Sequence, residues 1–259
     1  MWKKYLQKRK NVLLNYGIDT NNNFHKHLEA DVTDLPAIKT IGILGGTGKE
    51  GKGLAFRWGR AGYKILIGSR NLEKALNAAN EIKGILGQSA NVSGLTNAEV
   101  AKQSDIVVLT VPFAAQKDTL EAIKSDLQGK ILINVSVPLV PPKVTKVQMP
   151  PEGSAAMQAH LVLGEGVEVV AAFQNISYEN LLTQEDVNCD VLVCGTSKAA
   201  REVVLKLIEE AGLIGWDAGP IENAVVVEGL TSVLIGINKQ YKVETSGIRI
   251  TGVDRKVSL

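Results

Sequence analysis

The chain has 259 residues, 45% hydrophobic and 22% charged, a balance that excludes wholesale disorder. No uncharged apolar run reaches bilayer length, which reads against a transmembrane segment, and two cysteines build no disulfide scaffold and point to a reducing, cytoplasmic setting. Against 27 Asp and Glu stand 29 Lys and Arg, for a net charge of +2, but the excess sits at the N-terminus, so a general nucleic-acid-binding face is not expected.

Residues 1–38 read as a basic extension and linker. Lys3, Lys4, Lys8, Arg9 and Lys10 meet no acid before residue 18, and Trp2, Tyr5, Leu6, Val12, Leu13 and Tyr16 give Met1 to Tyr16 the pattern of a short amphipathic helix. Thr20-Asn21-Asn22-Asn23 ends it. A membrane-surface or targeting role is the rival to a plain extension, and the lack of a long apolar core or a small-residue cleavage site weighs against it.

From residue 39 strands and helices alternate. Thr40 to Leu44 is a short apolar strand, residues 48–61 a helix, Lys64 to Ile67 the next strand, and residues 71–86 a helix with Leu72, Ala75, Ala79, Ile82 and Leu86 on one stripe. Thr96-Asn97-Ala98-Glu99 has the spacing of a capping box. A strand over Asp105 to Val111, a helix over 114–126 and a strand over Ile131 to Ile133 follow. Apolar strands separated by helices predict a parallel sheet covered on both faces, a doubly wound α/β fold of Rossmann type.

Five of the eight prolines lie between Pro138 and Pro151, which predicts an ordered loop over the carboxyl edge of the sheet. Beyond it come a helix at 153–163, strands at Val167 to Phe173 and Asp190 to Cys194, a helix at 197–211, and an apolar helix at 221–237. The organisation expected is residues 39–150 as a dinucleotide-binding domain and 151–259 as a smaller C-terminal α/β domain.

Gly45-Gly46-Thr47-Gly48-Lys49-Glu50-Gly51 lies between the first strand and the first helix. Gly46, Gly48 and Gly51 fit G-x-G-x-x-G, and Gly45, Gly48 and Gly51 fit a variant of it. Such glycines allow a tight turn and close approach of backbone to a pyrophosphate, which the helix N-terminus then receives. Glycines alone are weak testimony; the strand–turn–helix setting makes a dinucleotide site the stronger reading.

The end of the second strand selects the nucleotide. Where an NAD site usually carries an acid for the ribose hydroxyls, this chain has Gly68-Ser69-Arg70, with Lys74 one turn later. A hydroxyl and two cations suit a 2′-phosphate, so NADP(H) is the expected nucleotide. The plainer reading has Ser69 capping the helix and Arg70 and Lys74 as solvated charges.

No catalytic acid or base stands out. His25 and His27 fall in the linker, and His160 lies in a predicted helix. No metal-ligand spacing and no G-x-S-x-G elbow occurs. Cys189 and Cys194, five apart beside one strand, are expected on opposite faces as packing residues. Hydride transfer between two ring cofactors needs no protein base in its key step, only rings held at reacting distance.

Several segments together resemble the NADPH-dependent coenzyme F420 reductases: Ile43 to Gly48, Gly51-Lys52-Gly53-Leu54-Ala55, Gly68-Ser69-Arg70 with Lys74, Val108 to Pro112, Pro138-Leu139-Val140-Pro141, Asp217-Ala218-Gly219-Pro220, and the tail Ser246 to Ile250. The resemblance runs from about Lys39 to near the C-terminus. It implies an oxidoreductase that passes hydride between C4 of nicotinamide and C5 of the 5-deazaflavin F420. It makes Thr47, Gly48, Lys49 and Glu50 phosphate-cradle residues and Ser69, Arg70 and Lys74 the 2′-phosphate set. It places Val111, Ala115 and Val140 beside the nicotinamide half. The deazaflavin side falls to Gln174, Asn175, Ile176 and Tyr178, where Gln174 replaces a usual histidine and Tyr178 a common alanine. A glutamine there can donate a hydrogen bond to a ring carbonyl. Arg201, Lys143 and Lys146 are candidates to steer the anionic tail of F420.

The resemblance also implies a homodimer, with the apolar helix near 221–237 at the interface; burial within one subunit is the alternative. Two rivals share the scaffold. One is an NADPH-dependent reductase of free flavin, a ferric chelate, an imine or a β-hydroxyacid, although the helix at 153–163 offers no lysine for the last. The other is a non-catalytic NADP(H) sensor, which a filled cleft would favour over an open one.

Overall fold

Period-two alternation along short apolar strands builds the two faces of one sheet. The structure, a computed structural model, describes residues 38–183 and 187–253. The N-terminal extension, with the helix expected over Met1 to Tyr16, lies outside the described residues. The elements in order are β1 (Thr40–Leu44), α1 (Lys49–Arg60), β2 (Lys64–Ser69), α2 (Leu72–Leu86), β3 (Val92–Thr96), α3 (Asn97–Gln103), β4 (Ile106–Leu109), α4 (Phe113–Ile123) and β5 (Ile131–Asn134). There follow α5 (Ala155–Leu163), β6 (Glu168–Ala171), α6 (Tyr178–Leu181), β7 (Asp190–Gly195), α7 (Lys198–Glu210), β8 (Ile214–Pro220) and α8 (Ala224–Tyr241).

The eight strands lie in the order β3-β2-β1-β4-β5-β6-β7-β8. All neighbours are parallel except β6 and β7. On one face Ile41, Ile43, Ile65, Ile67, Ile106, Val108 and Ile133 pack under α1 and α2. On the other, Leu44, Leu66, Val107, Leu109 and Leu132 pack with Leu120, Ala156 and Ala159 of α4 and α5. This is the doubly wound Rossmann arrangement, with 3-2-1-4-5-6 as its leading order. The order reverses between β1 and β4, so a crevice opens at the carboxyl ends of those strands.

The expected boundary near residue 150 falls in the proline-rich segment between β5 and α5. The sheet continues past it, and the described residues from Ile38 onward form one compact unit. Edge strand β3 was not expected: Val92-Ser93-Gly94-Leu95-Thr96 carries a glycine at its centre. Gly94 is needed because a Cβ there would lie 2.4 Å from the Ala75 carbonyl group of α2. The capping box forms: Thr96 Oγ1 accepts from the Glu99 amide and the Glu99 carboxylate from the Thr96 amide.

Cys189 packs in the first of these layers and Cys194 in the second. The segment Ile221–Tyr241 is long and apolar enough to cross a membrane by length and composition, which the sequence reading did not expect. Its inner face is that of a core helix. Glu228 there accepts from the amides of Ala155 at 2.6 Å and Ala156 at 2.9 Å, at the start of α5.

Candidate active site

The turn between β1 and α1 is shaped to leave backbone amides free. Gly45 has φ +67°, open to glycine, and a Cβ at Gly51 would lie 2.5 Å from the Cα of Gly46. The turn is tied to β2 by the Gly46 amide, which donates to the Gly68 carbonyl at 3.0 Å. Gly48 occupies the N-cap of α1, and no side chain caps the first turn. The amides there stay available, and a Cβ at Gly48 would meet no atom within 4 Å. An uncapped helix start below open space fits a diphosphate group.

At the end of β2, Ser69 is buried and accepts from the Asn71 amide at 3.1 Å. Asn71, rather than Ser69, caps α2, accepting from the Lys74 amide. Arg70 and Lys74 are exposed, and neither side chain enters an ion pair among the described residues. Two cations with no ion pair among the described residues, next to a hydroxyl, suit a 2′-phosphate.

Beyond the turn lies a cleft of about 620 Å³. Val111, Pro112, Val135, Val137, Ile176, Leu234 and Ile235 give it apolar walls, and Glu50, Gln174, Asn175 and Tyr178 line it too. Such walls with a few polar groups suit flat rings. Gln174, Asn175, Ile176 and Tyr178 thus meet Val111 and Glu50 in one space. Val140 is 45% exposed and, like Ala115, is not among the lining residues, although Leu139 and Pro141 beside it are. His160 lies outside the cleft, with its Nε2 3.6 Å from Glu165.

Phe173 sets the direction of the loop that leaves β6. It has φ +75°, a strained position for an aromatic residue, and its ring meets Trp58 edge-on at 5.6 Å. Gln174 follows, and its Nε2 donates to the Asn134 carbonyl at 2.8 Å. Its Oε1 is buried without a partner. The expected donor is therefore engaged, and Gln174 presents an acceptor instead. Asn134 is fixed in turn: its Nδ2 donates to Gln116 and the Ala155 carbonyl, and its Oδ1 accepts from the Ser136 amide.

Charge at the mouth is locally paired. Lys49 Nζ lies 3.0 Å from Tyr178 Oη, 4.4 Å from that ring's centroid and 3.9 Å from Glu179. The Tyr178 hydroxyl is the main cause that raises the Lys49 pKa. Glu50 has no such partner. Its Oε1 is buried and unpaired, and burial pushes its pKa up to about 8. Arg201 is bound by Asp217 at 2.7 Å and by the Gly195 carbonyl, so it is not a free steering charge. Lys143 and Lys146 are exposed.

The family model described as "NADP oxidoreductase coenzyme F420-dependent" matches residues 40–138. An F420-dependent NADP reductase of Methanocaldococcus jannaschii is 41% identical over 222 residues, covering 83% of this chain and 99% of the relative. The chain belongs to this family. A second F420-dependent NADP reductase, from Methanothermobacter thermautotrophicus, is 40% identical over 83% of this chain and 96% of its own. A crystal structure from Arthrobacter sp. FB24, of a candidate member, has a TM-score of 0.68 at 23% identity, covers 83% of this chain and 100% of its own, and shows the same fold.

Asn134, Ser136, Thr231 and Leu234 escaped the sequence reading. The signal for Asn134 was a polar residue ending the apolar strand Ile131-Leu132-Ile133-Asn134. Thr231 and Leu234 were hidden in a helix read only as apolar.

Proposed function

We infer that the chain is an oxidoreductase that passes hydride between NADP(H) and coenzyme F420. The observation that carries this reading is 41% identity to an F420-dependent NADP reductase over nearly all of that relative's length. The open cleft beside the glycine turn supports an enzyme over a sensor. When bound, the nicotinamide and deazaflavin rings supply the chemistry, a hydride moving from C4 of one to C5 of the other or back. The protein's part is to bind, stack and shield.

In this reading Gly46, Thr47, Gly48, Lys49, Glu50 and Gly51 form the turn that takes the diphosphate on free amides. Ser69, Arg70 and Lys74 take the 2′-phosphate. Val111, Ala115 and Val140 lie along the nicotinamide half, and Gln174, Asn175, Ile176 and Tyr178 on the deazaflavin side. No side chain acts as acid or base in the hydride step. Residues 39–150 serve as the NADP-binding part and 151–259 as the deazaflavin part. Lys143 and Lys146 attract the acidic tail of F420. The enzyme works in the cytoplasm as a homodimer, with the outer face of α8 as its contact.

The test is absorbance of the deazaflavin band with purified protein, F420 and NADPH. Bleaching is expected. An unchanged band across the accessible pH range overturns the assignment of F420.

A further inference from the structure

We propose that Gln116 is a positioning residue for the hydride step. Buried behind the cleft, it fixes through Asn134 how the Val111 side and the Gln174 side of the cleft face each other. The proposal rests on the NADP(H) part of the reading above and not on F420.

The core of the device is a pair of carboxamides. Gln116 of α4 and Asn134 at the end of β5 are each 0% exposed, and Gln116 is not among the residues that line the cleft. Gln116 Oε1 accepts from Asn134 Nδ2 at 2.9 Å. Gln116 Nε2 donates to the Ala155 carbonyl at 2.8 Å and to Gln158 Oε1 at 3.2 Å, both at the start of α5. Asn134 Nδ2 also donates to the Ala155 carbonyl, at 3.2 Å, and Asn134 Oδ1 accepts from the Ser136 amide at 2.8 Å. The Ala155 carbonyl can only accept and the Ser136 amide can only donate, so neither side chain can be reversed. All four polar atoms of the pair are partnered, each at a settled polarity.

Two further bonds carry this order to the cleft. The Asn134 carbonyl accepts from Gln174 Nε2 at 2.8 Å, and Ser136 Oγ donates to the Val111 carbonyl at 2.8 Å. Val111, Ser136 and Gln174 all line the cleft. They follow β4, β5 and β6, whose last paired residues are Leu109 with Asn134 and Asn134 with Ala171. Beyond that point the ladder no longer aligns the three segments, and the amide cluster does. A displaced Asn134 shifts the anchor on both sides at once. Transfer between two bound rings is sensitive to such a shift, since a misplacement of about 1 Å can cost about a hundredfold in rate. The glycine turn and the Ser69–Arg70 corner lie elsewhere and keep their hold on the nucleotide.

The test variant is Gln116→Met, which keeps an unbranched side chain and removes its hydrogen bonds. Titration by NADPH fluorescence is expected to give an affinity within about twofold of the wild type. The fluorescence lifetime of the bound nicotinamide is expected to shorten, and single-turnover transfer to F420, per bound NADPH, to fall about tenfold or more. In the ligand-free wild type, the side-chain amide protons of Gln116 and Asn134 are expected to exchange with water far more slowly than those of a free carboxamide, read by NMR. Ser136→Ala cuts the Oγ tie to Val111 and is expected to show the same split at smaller size; it carries the comparison should Gln116→Met fail to fold. Thermal melting gives the folded fraction of each. An unchanged lifetime with an unchanged rate per bound NADPH overturns the proposal and leaves Gln116 a part of the core only. A rate loss explained wholly by lost affinity overturns it too, as do side-chain amide protons that exchange at solvent rates. If the wild type binds NADPH but never bleaches the deazaflavin band, the F420 reading fails, and the lifetime decides this one.

Discussion

Arg70 and Lys74 stand out because no ion pair answers their charge among the described residues, which suits an anionic ligand at that place. A charge-assisted hydrogen bond contributes about 1.5–3 kcal/mol, so Arg70→Ala should weaken NADPH binding by about tenfold or more. NADH binding, measured in the same titration, should hardly change. Equal losses for the two nucleotides would remove the 2′-phosphate role. This pair was legible in the sequence, since an absent acid and present cations declare themselves by residue type alone. Gln174 was legible only as a position. Whether a glutamine gives or accepts depends on which of its ends the protein occupies, and the partner, the Asn134 carbonyl, lies 40 residues away. Residue types reveal charge well and hydrogen-bond direction poorly.

Among the elements, α1 joins most of the site. It begins at the glycine turn and carries Arg57, which is buried and donates to the carbonyls of Leu181, Asn180 and Thr183 at 2.8–2.9 Å. Those carbonyls end α6, the short helix that starts with Tyr178. Arg57→Met should destabilise the fold by about 3 kcal/mol, read by denaturant melts, because it orphans several buried acceptors at once. Helix α8 carries a different liability. Burial pushes the Glu228 pKa up to about 7 despite its two amide partners. An acid whose pKa is higher folded than unfolded weakens the native state as it ionises, so its effect grows from about pH 4.3 to pH 7 and then levels off. The melting temperature of the wild type should therefore fall across that window relative to Glu228→Gln. Most elements could be read from periodicity. Strand β3 could not, because Gly94 answers to the backbone of α2 rather than to strand propensity, and α6 is too short to show a period.

For the whole molecule, the α/β alternation, the capping box and the turn glycines are local signals, and they sufficed for the fold class. The second half was harder. The antiparallel step from β6 to β7 and the strand at Ile214–Pro220 depend on contacts far apart in the chain. The outer face of α8 offers Val226 at 63% exposure, with Val233 and Ile237 on the same stripe. Such a stripe fits a subunit contact. Val226→Glu with Val233→Glu should shift the mass seen by light scattering from dimer to monomer; a monomeric wild type would dismiss the contact.

Arg57 gives the site a property beyond stability. One rod of 12 residues, about 18 Å long, has the glycine turn at its head and the floor of the neighbouring loop clamped near its foot. The two sides of the cleft are then jaws of a single caliper, set once when the chain folds. In the function proposed above, two rings stacked between those sides take their spacing from this one helix.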